Sequence, residues 1–179
     1  MDHNDHLDLI HKGVDAPRGI WADFGSGRGA FTLALADLME EGGIIYSIDH
    51  KQGKLEDQKR RMQARFPHRD VRYRMADYRE PLTLPPLDGI LIANALHFQE
   101  VKGPVLELFH SYLKPGGTFI LVEYNADRGN RWVPHPLSYE SWEKLARQHG
   151  FRETELLETK PSHFLGQIYA AASQKGEKT

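Results

Sequence analysis

Apolar runs of strand length alternate along this chain with amphipathic helical patterns, and few folds accommodate that alternation. "GIWADF" (19–24), "IIYSID" (44–49), "GILIANAL" (89–96) and "TFILVEY" (118–124) are nearly continuous apolar runs. Strands covered on both faces take this form. Between them lie helical stripes. Phe31, Leu35 and Leu38 share one face from Arg28 to Glu41, with Ala30 and Ala34 beside it. Leu55, Met62 and Phe66 line a very basic helix that Pro67 ends, and Gly103-Pro104 opens a helix carrying Val105, Leu108, Phe109 and Tyr112. Strand and helix in regular succession predict an α/β fold around a parallel sheet.

The remaining segments fill in this plan. "VRYRMA" (71–76) alternates apolar and charged residues, as an outer strand does, and "GILIANAL" is apolar enough to be central. "KPGG" (114–117) turns the chain into "TFILVEY". Ser138 caps a helix bearing Trp142, Leu145 and Ala146, which Gly150 ends. Residues 151–173 contain two strand-like runs joined at Lys160-Pro161-Ser162, close enough to form an antiparallel hairpin. Leu7, Leu9 and Ile10 make one short helix within residues 1–17. At 179 residues, without internal repeats, the chain reads as a single domain over 1–179.

Composition removes several functions. With no cysteine, the chain has no disulfides, thiolate metal sites or cysteine nucleophiles. The ten histidines show no tight ligand spacing with acids, so no metal is expected. A net charge of −2 gives no general attraction to nucleic acid or to an anionic membrane. The basic run "KRRMQARFPHRDVRYR" (59–74) is flanked by acids and reads as solvated surface. Nothing resembles a signal peptide or a membrane span, which places the protein in the cytoplasm.

The loop Gly25-Ser26-Gly27-Arg28-Gly29 follows the first strand, where ligands of open α/β sheets bind. Gly25-x-Gly27-x-x-Ala30, with Asp49 about 20 residues on, satisfies the dinucleotide fingerprint. Asp23 argues against that ligand. A carboxylate ending the first strand repels a pyrophosphate, and like charges at about 4 Å cost roughly 4 kcal/mol at an effective dielectric of about 20. A cationic ligand reverses the sign. S-adenosylmethionine carries an ammonium and a sulfonium and no phosphate: Asp23 can pair with the ammonium while Asp49 takes the ribose hydroxyls.

Together "DFGSGRG", "SIDH", "MADYREP", "DGILIANALHF" and "YLKPGGTFILVEY" resemble, in order, the motifs of the class I S-adenosylmethionine-dependent methyltransferases. The resemblance runs from about residue 18 to 172 and is nearest the small-molecule enzymes of the ubiquinone-biosynthesis type. It implies a Rossmann-like, doubly wound sheet of seven strands in the order 3-2-1-4-5-7-6, strand 7 antiparallel. It further implies that Asp23, Gly25, Ser26, Gly27 and Gly29 cradle the methionine and ribose. Asp49 then binds the ribose, His50 lies beside the adenine, Asp77 with Tyr78 meets the adenine amino group, and Asn94 approaches the methionine.

Departures from the family narrow the substrate. Asn94-Ala95-Leu96-His97 stands where methyltransferases of base or amide nitrogen carry Asn/Asp-Pro-Pro-aromatic. The missing cysteine disfavours acceptors held as arsenic thiolates. His97 is the candidate general base, its alternative a histidine packed on the cofactor. Tyr124 and the loop 125–137 should face the methyl group. Arg131 and Trp132 there suit an anionic or planar small molecule, unless Trp132 is buried in the core. The expectation is thus a small-molecule methyltransferase, possible as a homodimer. The alternatives are a non-catalytic cofactor-binding module serving a partner, an RNA methyltransferase, and, more distantly, an NAD-dependent reductase.

Overall fold

The computed structural model describes residues 1–176. In chain order its elements are α1 (His3–Ile10), β1 (Ile20–Phe24), α2 (Ala30–Leu38), β2 (Ile44–Asp49), α3 (Gln52–Arg65), β3 (Asp70–Met75), β4 (Leu87–Ala93), α4 (Gly103–Tyr112), β5 (Leu113–Tyr124), α5 (Tyr139–Gln148), β6 (Phe151–Ser162) and β7 (Gly166–Lys175). The strands form one seven-stranded sheet in the order β3-β2-β1-β4-β5-β7-β6. β7 runs antiparallel to both β5 and β6, and the other pairings are parallel. Order and direction agree with the expectation from the motifs. Among the described residues no helix is long and apolar enough to cross a membrane.

Alternation along the strands divides the core into two layers. Trp21, Ile45, Leu91, Ile120 and Val122 pack with Leu9 and Ile10 of α1 and with Phe31, Leu33 and Leu35 of α2. Ala22, Phe24, Ile48, Ile90, Ile92 and Phe119 face the other way, against Val105 and Phe109 of α4 and Trp142 of α5. Both faces are thus covered, as a parallel sheet requires. Ser138 caps α5 by accepting from the Ser141 N–H, as its type and position foretold.

Two turns differ from the sequence reading. "KPGG" is not a separate turn, because β5 already pairs with β4 at Leu87–Leu113 and continues after a register shift. The β6–β7 turn falls at 163–165 rather than at Lys160-Pro161-Ser162, which pair with Ile168, Gln167 and Gly166. Proline is tolerated there because β6 is an edge strand, whose outward N–H has no ladder partner to lose.

The pairing of β1 with β4 brings two strand ends together at the point where the connections diverge, and one contact fixes its register. Trp21, fully buried, lies opposite Gly89 and donates its indole N–H to the Ala16 carbonyl at 2.9 Å. A Cβ on Gly89 would come within 2.4 Å of the Trp21 ring. Gly89→Ala should therefore destabilise by ~1–3 kcal/mol, the usual cost of overpacking. Urea unfolding checks this: the midpoint should fall, and Trp21→Leu should remove most of the added penalty in a double-mutant cycle. An unchanged midpoint in Gly89→Ala would mean that the contact does not set the register.

Candidate active site

The loop joining β1 to α2 passes through left-handed Gly25 (φ 69°) and Gly29 (φ 80°). Neither has room for a side chain. A Cβ on Gly29 would meet Gln58 Cγ at 2.3 Å, and one on Gly25 would meet Ala95 Cβ at 2.8 Å. The loop also spends its amides within the protein. Ser26 N–H donates to the Ile48 carbonyl (3.0 Å), Gly27 N–H to Asp49 Oδ2 (2.9 Å) and Gly29 N–H to the Ser26 carbonyl (2.9 Å). Phosphate-binding loops aim such N–H groups at the anion. Here those three are committed elsewhere.

Asp23, at the end of β1, is 1% exposed and accepts from the Thr32 hydroxyl at 2.5 Å. Gln58 Nε2 in turn donates to Thr32 Oγ1. The Ser47 hydroxyl lies 2.7 Å from Gln58 Oε1 and 2.8 Å from the Ser26 hydroxyl. Because Ser47 has one proton to give, Ser26 supplies the donor for the second contact. Burial pushes the Asp23 carboxyl up to about 7; the Thr32 hydroxyl lowers it and the nearby Asp49 raises it further. An apolar surrounding that disfavours charge favours a cation brought to that charge.

Two cavities flank the loop and share Gly25, Lys54 and Asn94. The larger, about 320 Å³, is lined also by Asp49, His50, Asp77, Tyr78, Phe98 and Gln99. Asp49 is buried, with Oδ2 on Gly27 N–H and Oδ1 on Lys51 N–H (2.8 Å). Each oxygen keeps a second lone pair for a ligand. His50 is exposed beside it. Asp77 is engaged by Arg79, whose Nε lies 2.9 Å from both carboxylate oxygens and holds the carboxyl below its ordinary range. Tyr78 donates its hydroxyl to the Ala95 carbonyl at 2.9 Å and accepts from Gln99. Asn94 adopts a left-handed conformation (φ 50°), and its Oδ1 is buried without a hydrogen-bond partner. The second cavity, about 270 Å³, takes in Asp23, Ser26, Gly27, Arg28, Phe31 and His6.

Past β4 the chain forms a short turn, Leu96–Phe98. His97 is buried there, with Nδ1 at 2.9 Å and 3.1 Å from the two Glu123 oxygens. Glu123, fully buried, also accepts the N–H groups of His97 (3.0 Å) and Tyr124 (2.8 Å). The Tyr124 ring stands edge-on to His97 at 5.6 Å and to Phe164 at 6.3 Å. Loop 125–137 closes over this cluster: His135 N–H donates to the His97 carbonyl (3.0 Å), and Asn130 Nδ2 to the Phe164 carbonyl (3.3 Å). Lys102 Nζ joins the Gln99 and His135 carbonyls at 2.8 and 2.9 Å. Trp132 is 68% exposed with the Arg131 guanidinium 5.8 Å from its ring, so it is not a core residue.

The fold thus brings the loop glycines, Ser26, Asp23, Asp49, His50, Asp77, Tyr78 and Asn94 around two adjoining cavities. His97 and Tyr124 meet as neighbours but line neither cavity, and Arg131 and Trp132 lie outside both, on loop 125–137. Sequence reasoning missed Glu123, Lys102, Thr32, Gln58 and His6. Glu123 had a readable signal, an acid within the apolar run of β5, but nothing local tied it to His97.

Known proteins share this fold. A protein called YcgJ from Bacillus subtilis superposes with a TM-score of 0.78 at 14% identity, over 98% of this chain and all of that one. A Burkholderia thailandensis 1,6-didemethyltoxoflavin-N1-methyltransferase, solved with its substrate and S-adenosylhomocysteine, gives 0.75 at 19% identity over 98% of this chain and 78% of that one. An arsenite methyltransferase of Aquipseudomonas alcaligenes is 26% identical over 158 residues, covering 78% of this chain and 46% of that protein. This chain therefore spans less than half the length of that relative. A family model described as a methyltransferase domain matches residues 21–169. The chain belongs to that methyltransferase-domain family, and its seven-stranded sheet is the family's Rossmann-like fold.

Proposed function

We propose that this chain transfers a methyl group from S-adenosylmethionine to a small-molecule acceptor. The supporting observation is the presence of buried Asp23 and partnerless Asn94 Oδ1 beside a loop in which the Ser26, Gly27 and Gly29 amides are already bonded. Those groups want a cation with N–H donors, which the cofactor's ammonium is, and they offer nothing to a pyrophosphate. The cofactor supplies a methyl carbon already activated by its sulfonium. The chain supplies placement, which can be worth ~7–11 kcal/mol in an in-line displacement. Asp49 orients the ribose, Tyr78 and His50 border the base, and Asp77 either yields to the adenine amino group or continues to hold Arg79.

His97 provides the acid–base function. A carboxylate can only accept, so Nδ1 carries the proton shared with Glu123, and Nε2 is left to take one from the acceptor. Tyr124, Trp132 and Arg131 border the acceptor's approach, which favours a planar or anionic molecule. The chain has no cysteine to hold arsenic as a thiolate, so the acceptor differs in kind from that of the arsenite-methylating relative. Nucleic acid is a poor fit, since acids are interspersed with the basic side chains around α3, Arg65 pairing with Asp37 and Arg72 with Asp70.

Calorimetry tests the cofactor. S-adenosylhomocysteine should bind in the micromolar range and NADH should not. Asp49→Ala removes charge-assisted hydrogen bonds worth ~1.5–3 kcal/mol each, so affinity should fall at least tenfold. Binding of NADH in place of the thioether would end the proposal.

Asp23 makes that affinity depend on pH. Its carboxyl, raised to about 7 in the cofactor-free protein, must ionise to meet the ammonium, so binding releases a proton. Affinity should be flat above about pH 7 and fall by up to about tenfold per unit below it. Asp23→Asn should be weaker at pH 8 and show no such slope. The folded value lies above the unfolded one, so this group's stabilisation is complete below about pH 4. It is lost as pH rises through about 7, and thermal melts of the cofactor-free parent and Asp23→Asn should diverge over that window.

For chemistry, His97→Ala should lower turnover ~10²–10⁴-fold while leaving S-adenosylhomocysteine affinity within about twofold. A variant as fast as the parent, with turnover flat through the histidine range, would leave placement as the whole mechanism. Cofactor binding without turnover on any acceptor panel would instead favour a non-catalytic module.

A further inference from the structure

The smaller cavity contains a histidine that neither the motifs nor the proposed reaction accounts for. His6 of α1 lines it together with Asp23, Gly25, Ser26 and Asn94. Its ring sits edge-on to Phe31 at 4.7 Å and is half-buried. The helix that carries it is firmly placed. Leu9 and Ile10 are fully buried, Lys160 of β6 reaches Asp5 (3.1 Å) and Asp8 (2.8 Å), and His3 meets Asp37 at the end of α2 (2.9 Å).

An amino-acid ligand end brings a carboxylate as well as an ammonium. Asp23 and Asn94 Oδ1 suit the ammonium and repel the acid. The usual readers of a carboxylate at such a loop are its own amides, and those of Ser26, Gly27 and Gly29 already donate to Ile48, Asp49 and Ser26. Few loop amides are left for the acid, and a cationic side chain adds the counter-charge that an amide lacks. Three cationic or potentially cationic side chains line the cavity: His6, Arg28 and Lys54. Arg28 is exposed and drawn to Asp57 (3.7 Å), and Lys54 also borders the ribose-side cavity with Asp49. His6 alone is half-buried, held by a ring contact and confined to this cavity. We infer that His6 of α1 binds the α-carboxylate of the cofactor's amino-acid end, which makes α1 part of the cofactor site. Burial, the N-terminal ammonium and His3 lower the His6 pKa in the cofactor-free protein against the opposing pull of Asp5 and Asp2; a carboxylate at the ring restores the proton.

The inference rests on S-adenosylmethionine as the cofactor, and the test separates the two. Titration calorimetry would compare S-adenosylhomocysteine with its decarboxylated analogue, which keeps the ammonium and loses only the acid. In the parent, S-adenosylhomocysteine should bind more tightly; failure to bind either thioether would overturn the cofactor assignment and this inference with it. His6→Ala should weaken S-adenosylhomocysteine about tenfold and the analogue less than twofold, and His6→Gln, which keeps an N–H donor, should recover part of the loss. Equal weakening of both ligands would show that His6 only props α1 on Phe31 and would overturn the assignment, as would no change in either. Thermal melts of both variants accompany the titrations, so that a loosened α1 shows as a lowered midpoint with equal losses for the two ligands.

Discussion

Hydrogen bonds that all point one way end on Asp23. Ser26 gives to Ser47, Ser47 to Gln58, Gln58 to Thr32, and Thr32 to the carboxylate. The chain crosses from the glycine loop through β2 and α3 to α2 and back to the tip of β1. Each member is polar and, apart from Ser26, buried, so each must be satisfied where it stands, and aligned donors strengthen one another. The result fixes the loop from beneath. Gly29 has to be glycine because Gln58, a middle link, occupies the space its side chain would need.

The same rim carries two further buried carboxylates, and their partners differ in ways that suit different tasks. Asp23 has a single hydroxyl, which leaves the desolvation of its charge poorly compensated. Asp49 has two backbone N–H groups, which hold it in place with lone pairs to spare. Glu123 has a ring nitrogen and two backbone N–H groups, so it serves the histidine and the turn together. On the proposed function, three acids at the ends of three strands of one sheet serve a cation, a diol and an imidazole. The parallel strands β1, β2 and β5 end on the same side of the sheet, so the three acids gather there, Asp23 and Asp49 lining the cavities and Glu123 buried against His97.

How far this was legible in the sequence follows from the range of each interaction. The strand and helix pattern repeats over a few residues, and the sheet order came from motifs spread along the chain; both survive in the structure. Asp23 and the glycines are neighbours in sequence, so the sign of their electrostatics could be read directly. That Asp23 would be covered by Thr32 and Gln58 could not, because Gln58 arrives from α3. Glu123 meets His97 across 26 positions and only through the pairing of β4 with β5. The hairpin turn was misplaced by a few residues because proline marks turns in general, and its tolerance on an edge strand depends on knowing the edge. Trp132 was undecidable by type alone, since an aromatic ring suits a core and a binding rim equally.

The margins of the sheet bear on how the molecule lives among copies of itself. At one margin β3 presents Asp70, Arg72 and Arg74 outward. At the other, β6 carries Pro161 and two breaks of register, with Glu153 in a left-handed conformation between Arg152 and Glu155. Charge on one border and irregular backbone on the other deny an incoming strand the straight, unpaired ladder it would need. The open seven-stranded sheet thus offers little to a strand that would extend it sideways.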